Sequence, residues 1–146
     1  MRRYLYIACA AIVTAFAAEA ATPPDAIKYR QAAMSALSGH AAAFSLIFSG
    51  KVEHQKYLLA HAEAIAAISE HVVDMFPAGS DTGKTTALPL IWQDAEGFRK
   101  AADTTRVAAA GFRDAVKSGD KAAIGKAMKP LFDGCKGCHD RYRKED

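Results

Sequence analysis

The stretch Cys135-Lys136-Gly137-Cys138-His139 lies near the C-terminus of the 146-residue chain, and the rest of the sequence is organised around it. Two cysteines three residues apart, followed directly by a histidine, are the pattern for covalent haem attachment. Each thiol forms a thioether with one haem vinyl group, and the adjacent imidazole binds the iron. The motif therefore predicts one covalently bound haem c, with Cys135 and Cys138 as attachment points and His139 as an iron ligand.

Three other roles for the two cysteines are weaker. A thioredoxin-like redox pair opens a helix after a strand, and this sequence shows no alternation of strands and helices. A zinc site needs two further ligands at comparable spacing, and the predicted mature chain has no third cysteine. A disulfide between residues three apart closes too short a loop to stabilise much, and it leaves His139 without a role.

The N-terminal segment has the pattern of a secretory signal peptide. Met1-Arg2-Arg3 supplies positive charge, an apolar run follows over residues 4–18, and Ala18-Glu19-Ala20 places small residues at a cleavage site. The apolar run is too short to cross a membrane. We expect residues 1–20 to be removed and residues 21–146 to form one domain in the periplasm, with no membrane span left after the removal.

The charges and the remaining polar residues exclude several function classes. The chain has 19 basic and 16 acidic side chains, and the basic ones are scattered and form no stripe for nucleic acid. The spacing of the residues identifies no Ser-His-Asp set and no carboxylate pair, so we expect that the protein is not an enzyme. The other histidines share no face at metal-ligand spacing, and we expect surface or partly buried positions for His40, His54, His61 and His71.

The mature sequence predicts helices throughout. It is rich in alanine, and apolar residues recur at steps of three and four. Helix one begins after Thr22-Pro23-Pro24-Asp25, with a hydroxyl cap, and ends at Gly50. Helix two runs from about Glu53 to Asp74, and Pro77 stops it. The inner stripe of helix one is predicted to be Ile27, Arg30, Met34, Leu37, Ala41, Phe44 and Phe48.

A long crossover loop from Pro77 to Ile91 is predicted to lead into the second half of the bundle. Asp94 caps helix three, which ends near Gly119, and Asp120 caps helix four. Pro130 is expected to bend or break helix four before the haem motif. The fold expected is an all-α antiparallel four-helix bundle with the haem in its core. The core-facing stripe of helix four contains Ile124, Met128, Leu131, Cys135, Cys138 and Tyr142.

A four-helix chain behind a signal peptide, with Cys-x-x-Cys-His in its last helix, resembles the class II c-type cytochromes. This is the cytochrome c-prime family, which includes a low-spin branch with a methionine ligand. The resemblance covers the mature chain. It is carried by Tyr29-Arg30-Gln31-Ala32-Ala33-Met34, by Leu88-Pro89-Leu90-Ile91-Trp92 and by Cys135-Lys136-Gly137-Cys138-His139-Asp140-Arg141-Tyr142-Arg143.

The resemblance implies roles for two arginines. Arg30 would meet a haem propionate, and an arginine on an apolar stripe is indeed costly unless an anion pairs with it. Its stem can also carry the charge out to solvent. Arg143 lies one turn beyond His139, where it can act on the imidazole or be a solvated charge at a helix C-terminus.

Met34 decides between two functions. By the resemblance it faces the distal side of the iron. As a sixth ligand it would give a low-spin periplasmic electron carrier that serves an unidentified redox partner. As a packing residue it would leave a five-coordinate, high-spin haem that binds or buffers nitric oxide or carbon monoxide. Thioether sulfur is both a good haem ligand and a flexible core group, so both readings stay open.

The resemblance also implies a homodimer through helices one and two. Phe44, Ile47 and Phe48 crowd more than one face of helix one. The sequence therefore predicts apolar surface there that a second copy could cover.

Overall fold

The computed structural model describes residues 21–145, and the regular structure of this range is helical apart from one isolated β-bridge. The all-α prediction is confirmed. Four long helices form the bundle, with α2 packed between α1 and α4, and with α4 packed along α5. The helices are α1 Pro23–Phe48, α2 Leu58–Ser69, α3 Leu90–Gln93, α4 Ala95–Ser118 and α5 Lys121–Tyr142.

The ends of α1 follow the sequence signals with one correction. Thr22 is the N-cap, but its hydroxyl caps no backbone N–H and instead donates to Asp25 Oδ2 at 2.6 Å. At the other end Gly50 adopts a left-handed conformation with φ 75°. The N–H of Gly50 donates to Ile47 O and that of Lys51 to Leu46 O, which is the Schellman arrangement.

Helix α2 is shorter than the predicted span from Glu53 to Asp74. Single turns of 3-10 helix, Gln55–Tyr57 and Val73–Met75, replace its expected ends. Neither end of α2 has a side-chain cap, so the chain tightens into 3-10 geometry, which satisfies some of the terminal backbone groups. The segment is nevertheless buried at Ala62, Ile65, Ser69 and Val72.

The crossover loop, residues 76–89, is pinned to the end of α5. An antiparallel bridge joins Ala87 to Arg143. Leu88 N–H donates to Tyr142 O at 2.9 Å, and Lys144 N–H donates to Thr86 O at 2.8 Å. The loop then leads into α3, a single turn that the sequence analysis did not predict.

The caps of the last two long helices are confirmed. Asp94 accepts a hydrogen bond from Gly97 N–H, and Asp120 accepts from the backbone N–H groups of Ala122 and Ala123. The predicted break at Pro130 is wrong, because α5 runs through it uninterrupted. Pro130 lies on the exposed face, where water can bind the carbonyl that the missing N–H leaves without a partner.

Two clusters of buried side chains form the core. In the first core cluster the rings of Phe44 and Phe112 meet edge to face with centroids 4.7 Å apart. Cys135 packs against this first cluster, whereas Cys138 packs against the second. The haem motif therefore spans the boundary between them. The second core cluster consists of Val72, Ile91, Phe98, Ala102 and Tyr142.

The sequence predicted an apolar surface for a dimer at Phe44, Ile47 and Phe48, and the structure does not show an exposed surface there. Phe44 and Ile47 are 1% and 3% exposed within a single chain, and Phe48 is half-buried. Among the large apolar side chains of α1, Tyr29 and Leu46 are exposed instead. The homodimer thus stays a prediction, but the residues predicted to form its interface are not exposed.

Gly134 should be essential to the packing of α5 on α4. A Cβ atom at Gly134 would lie 2.9 Å from Thr105 Oγ1 and 3.2 Å from Thr105 Cα, whereas one at Gly125 would meet nothing within 4 Å. We expect Gly134→Ala to lower the free energy of unfolding by about 1–3 kcal/mol through overpacking. Gly125→Ala should raise it by about 0.5–1 kcal/mol through helix propensity. Urea unfolding followed by circular dichroism measures both, and stabilisation by both variants would contradict the close approach.

Candidate haem-binding site

The two cysteines of the motif lie on α5 as half-buried free thiols. Three residues is close to one helical turn, so both thiols point to the same side of the helix. Burial raises the pKa of the Cys135 thiol. Burial and the neighbouring Cys135 raise the pKa of the Cys138 thiol to about 11. Both thiols are therefore protonated at neutral pH before any thioether forms.

A cavity opens between the inner faces of α1 and α5, in two adjoining lobes. The polar lobe has a volume of about 520 Å³ and includes Arg30, Gln31, Thr85 and Arg143 in its wall. The apolar lobe has a volume of about 370 Å³ and includes Leu37, Ile65, Leu131 and Cys135. Both volumes are typical of sites for small molecules or cofactors. The residues shared by the two lobes are Met34, Ser38, Val72, Cys138 and His139.

These residues fit a covalently bound haem. Cys135, Cys138 and His139 supply two thiols and an imidazole at the cavity wall. The apolar lobe suits a porphyrin, and the arginines of the polar lobe suit its carboxylates. A haem c would thus be held by the two sulfur atoms and by His139, and it would supply one-electron iron chemistry.

His139 lies in the last turn of α5 and lines both lobes of the cavity. Partial burial and the positive charge of Arg143 lower the pKa of its imidazole, and Asp140 opposes them. The neutral form is the one that binds metal, so these surroundings favour ligation. Arg143 is the C-cap of α5, and its backbone N–H donates to His139 O at 3.0 Å.

Arg30 is 3% exposed, so the alternative in which its stem reaches solvent is wrong. The Nη1 group donates to Ser80 Oγ at 2.7 Å, and the Nη2 group donates to Ser80 O and to Thr85 Oγ1, both at 2.8 Å. The guanidinium also lies over the rings of Phe76 and Trp92, 5.0 and 5.7 Å from their centroids. Burial lowers its pKa, and these contacts accommodate the charge. Arg30 thus ties α1 to the crossover loop while it lines the polar lobe.

Ser80 and Thr85 were missed by the sequence analysis. They are separated from Arg30 by 50 and 55 positions, and small hydroxyl residues in a turn-rich loop carry no signal of such a contact. Ser80 is fully buried and also donates to Pro77 O at 2.8 Å. Trp92 is half-buried and donates its indole N–H to Phe76 O and Pro77 O.

Met34 and His139 face the same cavity from α1 and α5 respectively. Met34 is half-buried and packs against the second core cluster. The structure therefore brings together every site residue that the sequence analysis proposed. The polar lobe contains Arg30, Met34, Cys138, His139 and Arg143, and Cys135 lines the apolar lobe beside it.

A second group missed by the sequence analysis holds the end of α5. Asp94, expected only as a cap, also accepts hydrogen bonds from Arg141 Nη2 at 2.7 Å and from Tyr142 Oη at 3.2 Å. Tyr142 is buried, and its ring meets that of Phe98 edge to face. These contacts fix the last turn of α5 two and three residues after His139.

The other histidines lie away from the cavity. His54 and His71 are exposed, as expected. His40 and His61 are half-buried, but α1 and α2 bring their rings into contact, which spacing within either helix could not indicate.

The fold and the site define a c-type haem protein built on a helical bundle, and comparison with known proteins agrees. The family model described as Cytochrome C' matches residues 25–143. Cytochrome c' from Rhodospirillum rubrum is 34% identical over 99% of this chain and 100% of that protein. The structure of cytochrome c prime from Shewanella frigidimarina shares 35% identity, with a TM-score of 0.81 over 87% of this chain and 100% of that one. That of Rubrivivax gelatinosus shares 34% identity, with a TM-score of 0.77 over 84% and 97%.

The chain belongs to the cytochrome c' family, as the resemblance in its sequence indicated. The chain is accordingly a haem-binding cytochrome with covalently attached haem c. Proteins of this family are haem electron carriers or gas-binding proteins and not enzymes.

Replacing Arg30 by lysine tests its hold on the crossover loop. Lysine keeps the charge but cannot reach three acceptors in the plane of a guanidinium. Because each hydrogen bond to a charged group contributes about 1.5–3 kcal/mol, we expect Arg30→Lys to lower the free energy of unfolding of the holoprotein by about 2–3 kcal/mol. The matched control is Gln31→Ala, which loses one exposed hydrogen bond to Lys84 O and should change stability by less than about 0.5 kcal/mol. If both variants changed the free energy of unfolding in urea by the same amount, the contacts of Arg30 would contribute little to stability.

Proposed function

We propose that this protein is a periplasmic electron carrier whose haem iron cycles between Fe(III) and Fe(II), with His139 and Met34 as its two axial ligands. One observation carries the proposal. Met34 and His139 line both lobes of one cavity from two different helices, so an imidazole and a thioether are available to the same bound group. This pair of ligands raises the reduction potential of a c-type haem.

Each side chain of the site has a part in this proposal. Cys135 and Cys138 hold the cofactor through thioether bonds. Arg143 lowers the proton affinity of His139, which keeps the imidazole available as a ligand. Arg30 lines the polar lobe, where its remaining N–H groups can meet a propionate. The apolar lobe excludes water, and the low dielectric there favours the less charged ferrous state.

The proposed location rests on the N-terminal sequence. The signal-peptide pattern of residues 1–20 and the cleavage after Ala20 lie outside the described residues. Within residues 21–145 no helix is both long and apolar enough to cross a membrane. The redox partner is proposed to be another periplasmic protein, which docks near the exposed edge of the site.

Met34→Leu tests the sixth ligand. Leucine keeps the apolar volume but removes the sulfur, so the variant should change from a low-spin to a high-spin absorption spectrum, and its reduction potential should fall. The matched control is Met128→Leu, since Met128 is a half-buried methionine of α5 that packs against the first core cluster. This control should keep the low-spin spectrum. A wild-type protein that is already high-spin, or a Met34→Leu spectrum that does not change, would refute ligation by Met34.

A second function is favoured by a different observation. Solved structures similar to this chain include nitric oxide complexes of cytochrome c prime variants from Alcaligenes xylosoxidans. One of them shares 29% identity, with a TM-score of 0.79 over 88% of this chain and 100% of that one. The alternative proposal is therefore a five-coordinate haem protein that binds or buffers nitric oxide, or binds carbon monoxide. In this case Met34 only packs over the iron, and the apolar lobe admits small diatomic molecules.

Carbon monoxide binding to the ferrous protein separates the two functions by rate. If Met34 is a ligand, a gas competes with it, and Met34→Ala should raise the association rate by at least about tenfold, because the binding-competent fraction rises. If Met34 only packs, the wild-type protein should bind the gas readily and the substitution should change the rate less. Stopped-flow absorption measures both rates, and a ferrous protein that binds neither carbon monoxide nor nitric oxide would exclude the gas-binding function.

A further inference from the structure

His40 of α1 and His61 of α2 form a side-chain pair outside the haem cavity. Their Nδ1 atoms are 2.9 Å apart, their ring centroids are 5.2 Å apart and the rings are inclined by 56°. Both residues are half-buried, and neither lines a lobe of the haem cavity. The pair therefore holds two nitrogen ligands at the surface, between two packed helices.

The residues one helical turn from the pair are uncharged. On α1 the residues one turn from His40 include Ala36 and Ala43, and on α2 Ala64 lies one turn from His61. No Lys or Arg stands three or four positions from either histidine, so no cation on the same helix face repels a positive ion.

The distance between the nitrogens suits two adjacent ligands of one metal ion. Two nitrogens about 2.0 Å from a metal and about 90° apart, as in square-planar geometry, are about 2.8 Å from each other. Tetrahedral geometry would separate them by about 3.3 Å with the same bond length. The 2.9 Å separation of the Nδ1 atoms is closer to the square-planar value, which is the geometry of Cu(II) or Ni(II).

Without a metal, the pair can share one hydrogen bond. One Nδ1–H donates and the other Nδ1 accepts, which requires two different tautomers. A metal needs the lone pairs of both Nδ1 atoms. Each ring must then carry its proton on Nε2. Both rings must also turn so that their Nδ1 lone pairs point to one position beside the line between the two nitrogens. Half-exposed side chains can make this turn without unpacking the core.

We propose that His40 and His61 form a binding site for a divalent transition-metal ion, with Cu(II) preferred. The two Nδ1 atoms occupy adjacent positions, and water fills the rest. No group of three or more His, Cys, Asp or Glu side chains suited to a metal occurs among residues 21–145. The ion is therefore held by two protein ligands and exchanges with solvent. The order of affinity is Cu(II) above Ni(II) and Zn(II).

Titration of the haem-loaded protein with Cu(II) tests the site. Isothermal calorimetry in a weakly coordinating buffer should show one saturable site per chain. Electron paramagnetic resonance should show a Cu(II) signal with hyperfine structure from two nitrogens, separate from any haem signal. His40→Ala and His61→Ala should each lose this signal, whereas His54→Ala and His71→Ala should keep it. Zn(II) should bind more weakly than Cu(II).

Two conservative variants distinguish loss of the metal ligands from loss of the folded structure. His40→Gln and His61→Asn can still form a hydrogen bond with the remaining imidazole but cannot supply two imidazoles, so they should lose the ion while haem absorption and helix content stay unchanged. Cu(II) binding that survives in all four variants of this pair, as binding by the amino terminus would, overturns the proposal. So does the absence of saturable binding, or a signal that disappears in His71→Ala and not in His40→Ala.

Discussion

The buried guanidinium of Arg30 is the interaction on which the shape of the site depends. A charge this deeply buried is stable only when its donors are used, and here a fully buried serine, a threonine and two aromatic rings provide the contacts. All four groups belong to the crossover loop or to the short helix that follows it. The charge on α1 thus holds in place a loop that has no regular structure of its own. That loop forms one wall of the polar lobe.

The same loop connects α1 to the haem-bearing helix. Its residues Thr86, Ala87 and Leu88 pair with the backbone at the end of α5, and Asp94 holds Arg141 and Tyr142 from the start of α4. The last turn of α5 is therefore fixed on two sides, so the backbone that bears His139 has little freedom to shift. A rigid ligand helix would limit rearrangement when the charge on a bound iron changes, and this rigidity suits the proposed electron transfer.

Structural features that depend only on neighbouring residues could be predicted from the sequence. The caps Asp94 and Asp120, the turn at Gly50 and the common face of Cys135 and Cys138 each depend on neighbours within a few residues, and each is present in the structure. Contacts between distant segments were not predictable. Arg30 was expected to need an anion, but Ser80 and Thr85 supply neutral acceptors from a loop without periodicity. His40 and His61 meet because α1 packs on α2, and no spacing within one helix encodes that contact.

Whether Met34 reaches the iron depends on the distance between two helices and less on the chemistry of its side chain. Met34 moves with α1, His139 moves with α5, and these helices are not among the pairs that pack closely. Their separation is set indirectly, by the contacts of Arg30 with the crossover loop at one side and by α2 and α4 at the other. A thioether with three rotatable bonds can reach across a modest gap, whereas a packed bundle resists closing a large one. The contacts of Arg30 thus help to set the separation of α1 and α5, on which both proposed functions of Met34 depend.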